Sequence, residues 1–325
     1  MKTSIYIANQ SIMAATGVDN GRELCVLNCQ RAELPGGLVR SGIITDAEAF
    51  AQQLKEFLKL HDFETGEKLK EFRNRGGDKK PVKVPRLPGL ASRKIVLVLD
   101  NEGVTLKALD VPLMPNGKLQ QVVRNEMGGH QDDENLLLYD YSVIKPGAEG
   151  SMGRVLAVSA DREIVQGYKA AFAGAKLSLR RVDVAQNCAS RLCRRLPDLV
   201  GRTFVFAALS DDEMLSMLFS EGECLIMNRT RLYETRGAAA AAVEISRGLS
   251  AMMQFNFTLN AEHPLSNVFL SGLEGEENYF LGEMVEALGV PVGQLPFPKE
   301  ITGPYAHQKD SDFGEYLFCL GGLLE

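Results

Sequence analysis

The sequence predicts an α/β protein built of two similar lobes, and three observations lead there. Lys2–Val18 reads as a β-hairpin with the polar tip Asn9-Gln10-Ser11, and the same design returns at Thr203–Phe219 with the tip Ser210-Asp211-Asp212-Glu213. A third strand follows each hairpin, Glu23–Gln30 and Glu223–Leu232, so each half opens with a three-strand meander. From Val155 onward strands alternate with helices, the signature of layered α/β architecture. With 325 residues, 45% of them hydrophobic, the chain buries a large core and exceeds the usual size of one domain.

The elements follow in order. Glu33–Ile44 is turn-rich, with Pro35, Gly36, Gly37 and Gly42. Thr45 and Glu48 have capping-box spacing, and Ala47, Phe50, Ala51, Leu54, Phe57 and Leu58 mark one apolar helical face. Asp62–Arg93 carries nine Lys or Arg against five acids, broken by Gly76, Gly77, Pro81, Pro85 and Pro88, and reads as a mobile loop. A solvated loop is the simpler expectation for this segment, and contact with anionic headgroups is the alternative.

Lys94–Leu99 and Thr105–Leu109 read as paired strands. Asn116 is placed to cap a helix through Met127 that buries Leu119, Val122 and Val123. Tyr139–Ile144 and Arg154–Ser159 alternate as strands around a turn at Gly147–Gly153, which completes a cluster sized for a small inserted domain. Beyond Val155 come a helix opened by Asp161, a strand at Leu177–Val182 and a helix at Val184–Leu196. The second meander leads to a long helix within Arg236–Leu259, a strand at Asn267–Leu273, a helix at Asn278–Leu288 and a short extended stretch at Val290–Leu295. A final helix, with Ser311 at its cap, carries its glycines on one side.

Charge and cysteine usage exclude several function classes. The net charge of −6 is spread over both halves, so no basic field points to nucleic acid. Cys25, Cys29, Cys188, Cys193, Cys224 and Cys319 sit mostly in apolar contexts with no CxxC pair, which reads as reduced core thiols. His61, His130, His263 and His307 stand far apart in turn-like contexts and read as surface or turn histidines, with no metal ligand set. The acidic run after Gly128-Gly129-His130 lacks the ligand alternation of a Ca²⁺ loop, and Asp183 in RRVDV reads as a cap for the helix that follows. No signal-peptide core follows Lys2, and no run reaches the roughly 20 apolar residues of a membrane span; the expectation is a soluble, cytoplasmic chain.

Several passages in this order resemble one family. They are Gly42-Ile43-Ile44 with the helix Asp46–Leu58, then KALDVPLMP with KLQQVVRNEM, YDYSVI, RVLAVSADREIVQGYKAAFAGAKL leading to RRVDV, LSGLEG, and the closing SDFGEYLFCLGG. Together they resemble PilM, the actin-like protein of type IV pilus assembly, itself similar to FtsA. The resemblance implies an actin-like (ribonuclease H-like) two-lobed fold with a small α+β subdomain inserted in the first lobe. The implied boundaries are residues 1–35 and 154–200 for the first core and 36–153 for the insertion, with the basic loop 62–93 inside it. The second core takes residues 201–325, with a reduced fourth subdomain because Thr235-Arg236-Gly237 runs almost directly into the alanine run.

The resemblance also locates a nucleotide cleft, and there the chain departs from the family. Actin-like ATPases approach phosphate through Asp-x-Gly on two hairpin tips and organise magnesium with the carboxylates. Here Tyr6 stands for the first Asp, Ala8 for the Gly and Met13 for a Lys, while Ala208 and Ser210 stand at the second tip. The vestigial cleft would be Asn9, Gln10, Ser11, Ser210, Asp211, Asp212, Gly272 and Gly275. Loss of these charged contacts removes about 1.5–3 kcal/mol each, so no cofactor and no catalysis is expected; ATP with magnesium is the alternative.

The implied function is a non-catalytic scaffold at the cytoplasmic face of the inner membrane. Its partner would be the N-terminal peptide of a PilN-like bitopic membrane protein, held in a groove between the first core and the inserted subdomain, with pilus motor components and self-association as further contacts. The surfaces taken first for that peptide are the KALDVPL strand, through Lys107, Leu109, Val111 and Leu113, and the following helix, through Leu119, Val122, Val123 and Met127. The rival readings are an ATP-dependent switch or sugar-kinase-like phosphotransferase, which would need a catalytic Asp in the cleft, and a filament former.

Overall fold

The computed structural model describes residues 1–8, 10–74, 87–89, 93–101, 103–112, 114–128, 136–148, 151–210, 212–259, 262–307 and 312–325. It divides into two compact units, Met1–Val18 with Leu27–Asn187, and Asp19–Val26 with Cys188–Glu325.

In the first unit, β1 (Lys2–Ile7), β2 (Ser11–Asp19) and β3 (Leu24–Glu33) form the expected meander. A two-stranded ribbon, β4 (Val39–Arg40) with β5 (Ile43–Ile44), precedes α1 (Ala47–Asn74). Next come β6 (Lys94–Leu99), β7 (Val104–Val111), α2 (Asn116–Glu126), β8 (Leu137–Lys145), β9 (Gly153–Asp161), α3 (Arg162–Gly174), β10 (Leu179–Val184) and the start of α4 (Ala185–Arg195). The main sheet runs β10-β6-β1-β2-β3, with β1 antiparallel to β2 and parallel to β6, and β6 parallel to β10. One face carries Ile5, Ile7, Ile12 and Ala14, against which Phe50, Leu54 and Leu58 of α1 and Phe172 of α3 close a core. Burying each such side chain contributes roughly 1.5–3 kcal/mol.

The second unit repeats that order. After the short helix α5 (Pro197–Val200), β11 (Phe204–Ser210), β12 (Glu213–Ser220) and β13 (Glu223–Arg231) form the second meander, followed by α6 (Ala239–Leu259), β14 (Asn267–Ser271), a 3-10 turn at Gly275–Asn278, α7 (Leu281–Leu288) and β15 (Val292–Gly293). Its sheet runs β13-β12-β11-β14-β15, with the same antiparallel and parallel steps outward from β11. Ile245, Leu249 and Met252 of α6 face Val205, Ala207 and Leu218. β16 (Ile301–Thr302) runs parallel to Leu24 and Cys25, and α8 (Leu317–Leu323) ends the chain. The glycine face expected on that last helix is a close contact: a Cβ on Gly321 would lie 2.0 Å from the carbonyl oxygen of Cys188.

The structure corrects several readings. Helix α1 continues through Asn74, so the expected loop does not begin at Asp62. The stripe Leu54, Leu58, His61, Thr65, Lys68 keeps helical spacing while its chemistry turns polar, matching Thr16 and Asn28 on the sheet. His61 is therefore a buried histidine, not a surface one: Nε2 lies 2.9 Å from Thr16 Oγ1 and Nδ1 accepts from Asn28 Nδ2 at 3.3 Å. At the other end of the expected loop Arg93 is buried and bonds both carboxylate oxygens of Asp62 at 2.6 and 3.1 Å. Residues 75–86 and 90–92 lie outside the described residues.

The cap of α1 is Asp46, whose Oδ1 accepts from the amides of Glu48 and Ala49 at 3.0 Å each. Thr45 instead donates to the carbonyl of Gly37 at 2.8 Å. Pro115, not Asn116, precedes the first turn of α2. Among the described residues of 36–153, α1 and β6 pack into the main sheet, while β7, β8 and α2 form a separate cluster with β9, which starts at Gly153 and lies almost wholly beyond this segment. Ser311 and His130 lie outside the described residues.

Candidate functional site

The first unit contains a groove of about 320 Å³ lined by Leu99, the five consecutive residues Leu138–Ser142, Leu156, Val158 and Ala160, Val165, the three consecutive residues Val182–Val184, and Asn187. Side chains along a strand alternate between faces, so alternate residues of β9 present one face of the small sheet. Consecutive residues of β8 and β10 mean that the groove also reaches the strands' open sides. Both are edge strands, β8 of the small sheet and β10 of the main sheet. An edge strand offers N–H and C=O groups to a segment in extended conformation, although here the Tyr139 carbonyl already accepts from Gln120 Nε2 at 3.2 Å and the Tyr141 amide donates to Asp140 Oδ1 at 2.8 Å.

One end of the groove is polar. Asp183, nearly buried, accepts from the amide of Val184 at 3.0 Å and from Asn187 Nδ2 at 2.7 Å, and its other oxygen faces Arg181 Nε at 3.2 Å. Asp183, expected to cap α4, meets that helix through the side chain of Asn187 in its first turn.

The residues expected to form the peptide surface do not line this groove. Leu109, Val111, Leu119 and Val123 are buried against one another and against Val155 and Ala157, with Val122 and Met127 packed on that core. Lys107 Nζ reaches Glu126 Oε2 at 3.0 Å, and Leu113 lies outside the described residues. These side chains join α2 to its sheet, and the groove is lined from the opposite face of β9, by Leu156, Val158 and Ala160. Strand periodicity separates the two faces: moving one residue along β9 changes face.

The vestigial nucleotide residues divide between the units. At the first tip Ala8 N donates to Ser11 O at 2.9 Å, and the carbonyl of Gln10 accepts from Leu34 N at 2.7 Å. The Ser11 hydroxyl is buried with no partner among the described residues, and Asn9 lies outside them. Tyr6 donates its hydroxyl to Asp100 Oδ2 at 3.0 Å. Asp100 was missed from sequence; its signal is that it directly follows the apolar run of β6, at the carboxyl end of a parallel strand, where α/β proteins place ligands.

At the second tip the Ser210 hydroxyl is likewise buried without a partner, and Asp211 is outside the described residues. Asp212 pairs with Arg231 Nε at 3.2 Å, about half exposed. Gly272 has a φ of +78°, and a Cβ there would fall 2.2 Å from the carbonyl oxygen of Leu209. Gly275 has a φ of +47° and meets Gly237 backbone to backbone. Arg236 closes this turn: it donates to the carbonyl of Gly272 at 2.6 Å and to both oxygens of the buried Glu277 at 2.7 and 2.9 Å. Burial pushes the Glu277 carboxyl up, but Arg236 and the amides of Gly237 and Glu274 outweigh it and hold the group below its ordinary value.

Among the described residues no group of His, Cys, Asp and Glu is arranged to hold a metal, all six cysteines are free thiols, and no helix is long and apolar enough to cross a membrane.

No family model and no curated protein matches the sequence. Among solved structures the chain is similar to a PilM-PilN type IV pilus biogenesis complex at 17% identity, over 99% of this chain and 97% of that one, with a TM-score of 0.74. Weaker likenesses reach the cytoplasmic domain of EpsL, an inner-membrane component of the type II secretion system of Vibrio cholerae, at 11% identity, 99% and 94% coverage and a TM-score of 0.48. Another is a Bacteroides thetaiotaomicron protein of actin-like ATPase fold, at 11% identity, 90% coverage of each chain and a TM-score of 0.45. The chain has the actin-like fold and shares it with PilM along nearly its whole length.

Proposed function

We propose that this chain is a non-catalytic assembly scaffold that docks the extended N-terminal peptide of a PilN-like bitopic membrane protein in the groove between β8 and β10. The observation that carries the reading is the groove itself, apolar along Leu156, Val158 and Val165 and lined by the edge strands of two sheets. Such a site takes main-chain hydrogen bonds for affinity and side-chain pockets for register. The structural likeness to a PilM solved with PilN supports it. The chain would then sit at the inner face of the membrane through its partner, in type IV pilus or related secretion assembly. The test is fluorescence anisotropy with a synthetic peptide of the N-terminus of a PilN-like bitopic membrane protein. Binding lost in Ala160→Arg and kept in an exposed control, Tyr279→Ser, supports the reading; binding unchanged in Ala160→Arg refutes it.

An ATP-binding switch is the second reading, favoured by the buried, unpartnered hydroxyls of Ser11 and Ser210 at the two hairpin tips and by the placement of Asp100 beside Tyr6. Each hydroxyl would serve as a donor to a phosphate oxygen. Calorimetry with Mg-ATP separates the two, since micromolar binding lost in Ser11→Ala and Ser210→Ala requires the switch.

A further inference from the structure

One polar side chain in the groove is left with unused hydrogen-bonding capacity. Asn187 is only 7% exposed and lines the groove among Leu99, Val165, Val182 and Val184. Among the described residues its side chain makes one hydrogen bond, from Nδ2 to Asp183 Oδ1 at 2.7 Å. A carboxamide carries two donors and an acceptor oxygen, so one N–H and the whole of Oδ1 remain. The carboxylate also fixes the amide's orientation, because a flipped amide would set Oδ1 against Asp183 Oδ1. Asp183 is itself held, by Val184 N at 3.0 Å and Arg181 Nε at 3.2 Å. The remaining donor and acceptor therefore form a fixed pair at the polar end of the groove, beside the apolar Leu99, Val165, Val182 and Val184.

We propose that Asn187 is the specificity-determining residue of this groove and that it recognises an amide in the docked segment, accepting its N–H on Oδ1 and donating the free Nδ2–H to its C=O. The proposal rests on the peptide-docking reading and adds the chemistry the partner presents. The occupant is an extended N-terminal segment with aliphatic side chains for Leu156, Val158 and Val165 and one amide at the height of Asn187. A buried polar group left unmatched is costly, so the pair sets register: shifting the segment by one residue puts an aliphatic side chain against the carboxamide. Two sources supply the same chemistry, a main-chain peptide group or the carboxamide of an Asn or Gln in the segment.

The experiment titrates the full chain against a fluorescein-labelled N-terminal peptide of a PilN-like bitopic protein, with wild type, Asn187→Ala, Asn187→Leu and Ala160→Arg. Removing one matched amide pair weakens binding about tenfold in both Asn187 variants; loss of the bond to Asp183 lowers their melting temperatures, so the titration is run where both variants give the folded circular dichroism of wild type. Peptides with each Asn or Gln changed to Ala, and with each backbone amide N-methylated, locate the source. The altered position whose loss is absent in Asn187→Ala is the partner amide, in the side chain or the main chain accordingly. Wild-type affinity in Asn187→Ala and Asn187→Leu, with Ala160→Arg abolishing binding, overturns the role of Asn187 and leaves the groove reading standing. No binding to wild type overturns both.

Discussion

His61 Nε2 lies 2.9 Å from Thr16 Oγ1, inside the first unit between α1 and the sheet. The ring's other nitrogen accepts from Asn28, so Nε2 carries the proton and donates to Thr16, whose hydroxyl passes the chain to Thr3 at 2.8 Å. Burial, then the charges of Arg93 and Lys68, lower the imidazole from 6.5 to about 3. A folded-state value below the unfolded one stabilises the protein above the unfolded pKa, and that contribution is lost as pH falls.

Stability should therefore fall by about 1.4 kcal/mol per pH unit below about 6.5, continuing toward the folded value, on account of this residue. Urea unfolding at pH 7, 6 and 5 reads it. His61→Gln keeps a neutral amide at the site and should flatten the curve between pH 6.5 and 5; equal slopes in the two proteins would show that His61 is not buried neutral.

Glu277→Gln should destabilise by about 3 kcal/mol, since it removes the charge of one partner of the buried pair with Arg236 and turns an N–H donor toward groups that themselves donate. Because the folded carboxyl is held low, its contribution is present above its unfolded pKa near 4.5 and is lost as pH falls below that value. Thermal melts of wild type and Glu277→Gln should differ at pH 7 and converge on acidification.

Gly272→Ala should cost roughly 3 kcal/mol or more, combining a left-handed backbone with a Cβ driven into the Leu209 carbonyl. Gly289→Ala, with a φ of +67° and no atom within 4 Å of the added carbon, should cost about 1 kcal/mol. A ratio near one in denaturant titrations would mean that the Gly272 contact relaxes.

These sites show which features are legible in sequence. The hairpin meanders were, because the mostly apolar runs of β1 with β2 and of β11 with β12 are each broken by a short polar tip and are buried along nearly their whole length. The second half of α1 was not, because its inward stripe continues as His61, Thr65 and Lys68, which satisfy one another and the sheet instead of burying carbon. The inserted strands were legible as strands, but not which face stays open: Leu109 and Leu156 look alike until α2 is seen to cover one side. Asn187 gave no signal at all, since only the fold sets a carboxamide in a helix's first turn beside an open strand edge.

Leu119→Ala should destabilise the chain by about 2–3 kcal/mol, as a large-to-small change in the core beneath α2. It should leave affinity for the partner peptide within twofold at temperatures where the protein is folded. A peptide affinity that falls in step with each truncation at Leu109, Leu119 and Val123 would return the binding surface to that face.

The most direct measurement is amide hydrogen exchange of the chain with and without the partner's N-terminal peptide. Strand addition pairs outward-facing N–H groups, so slowed exchange is predicted in Leu138–Ser142 of β8 and Val182–Val184 of β10, with no change in Leu119–Met127. Protection that appears instead across α2 and Lys107–Val111, or that leaves both edge strands exchanging as in the free chain, would contradict the account.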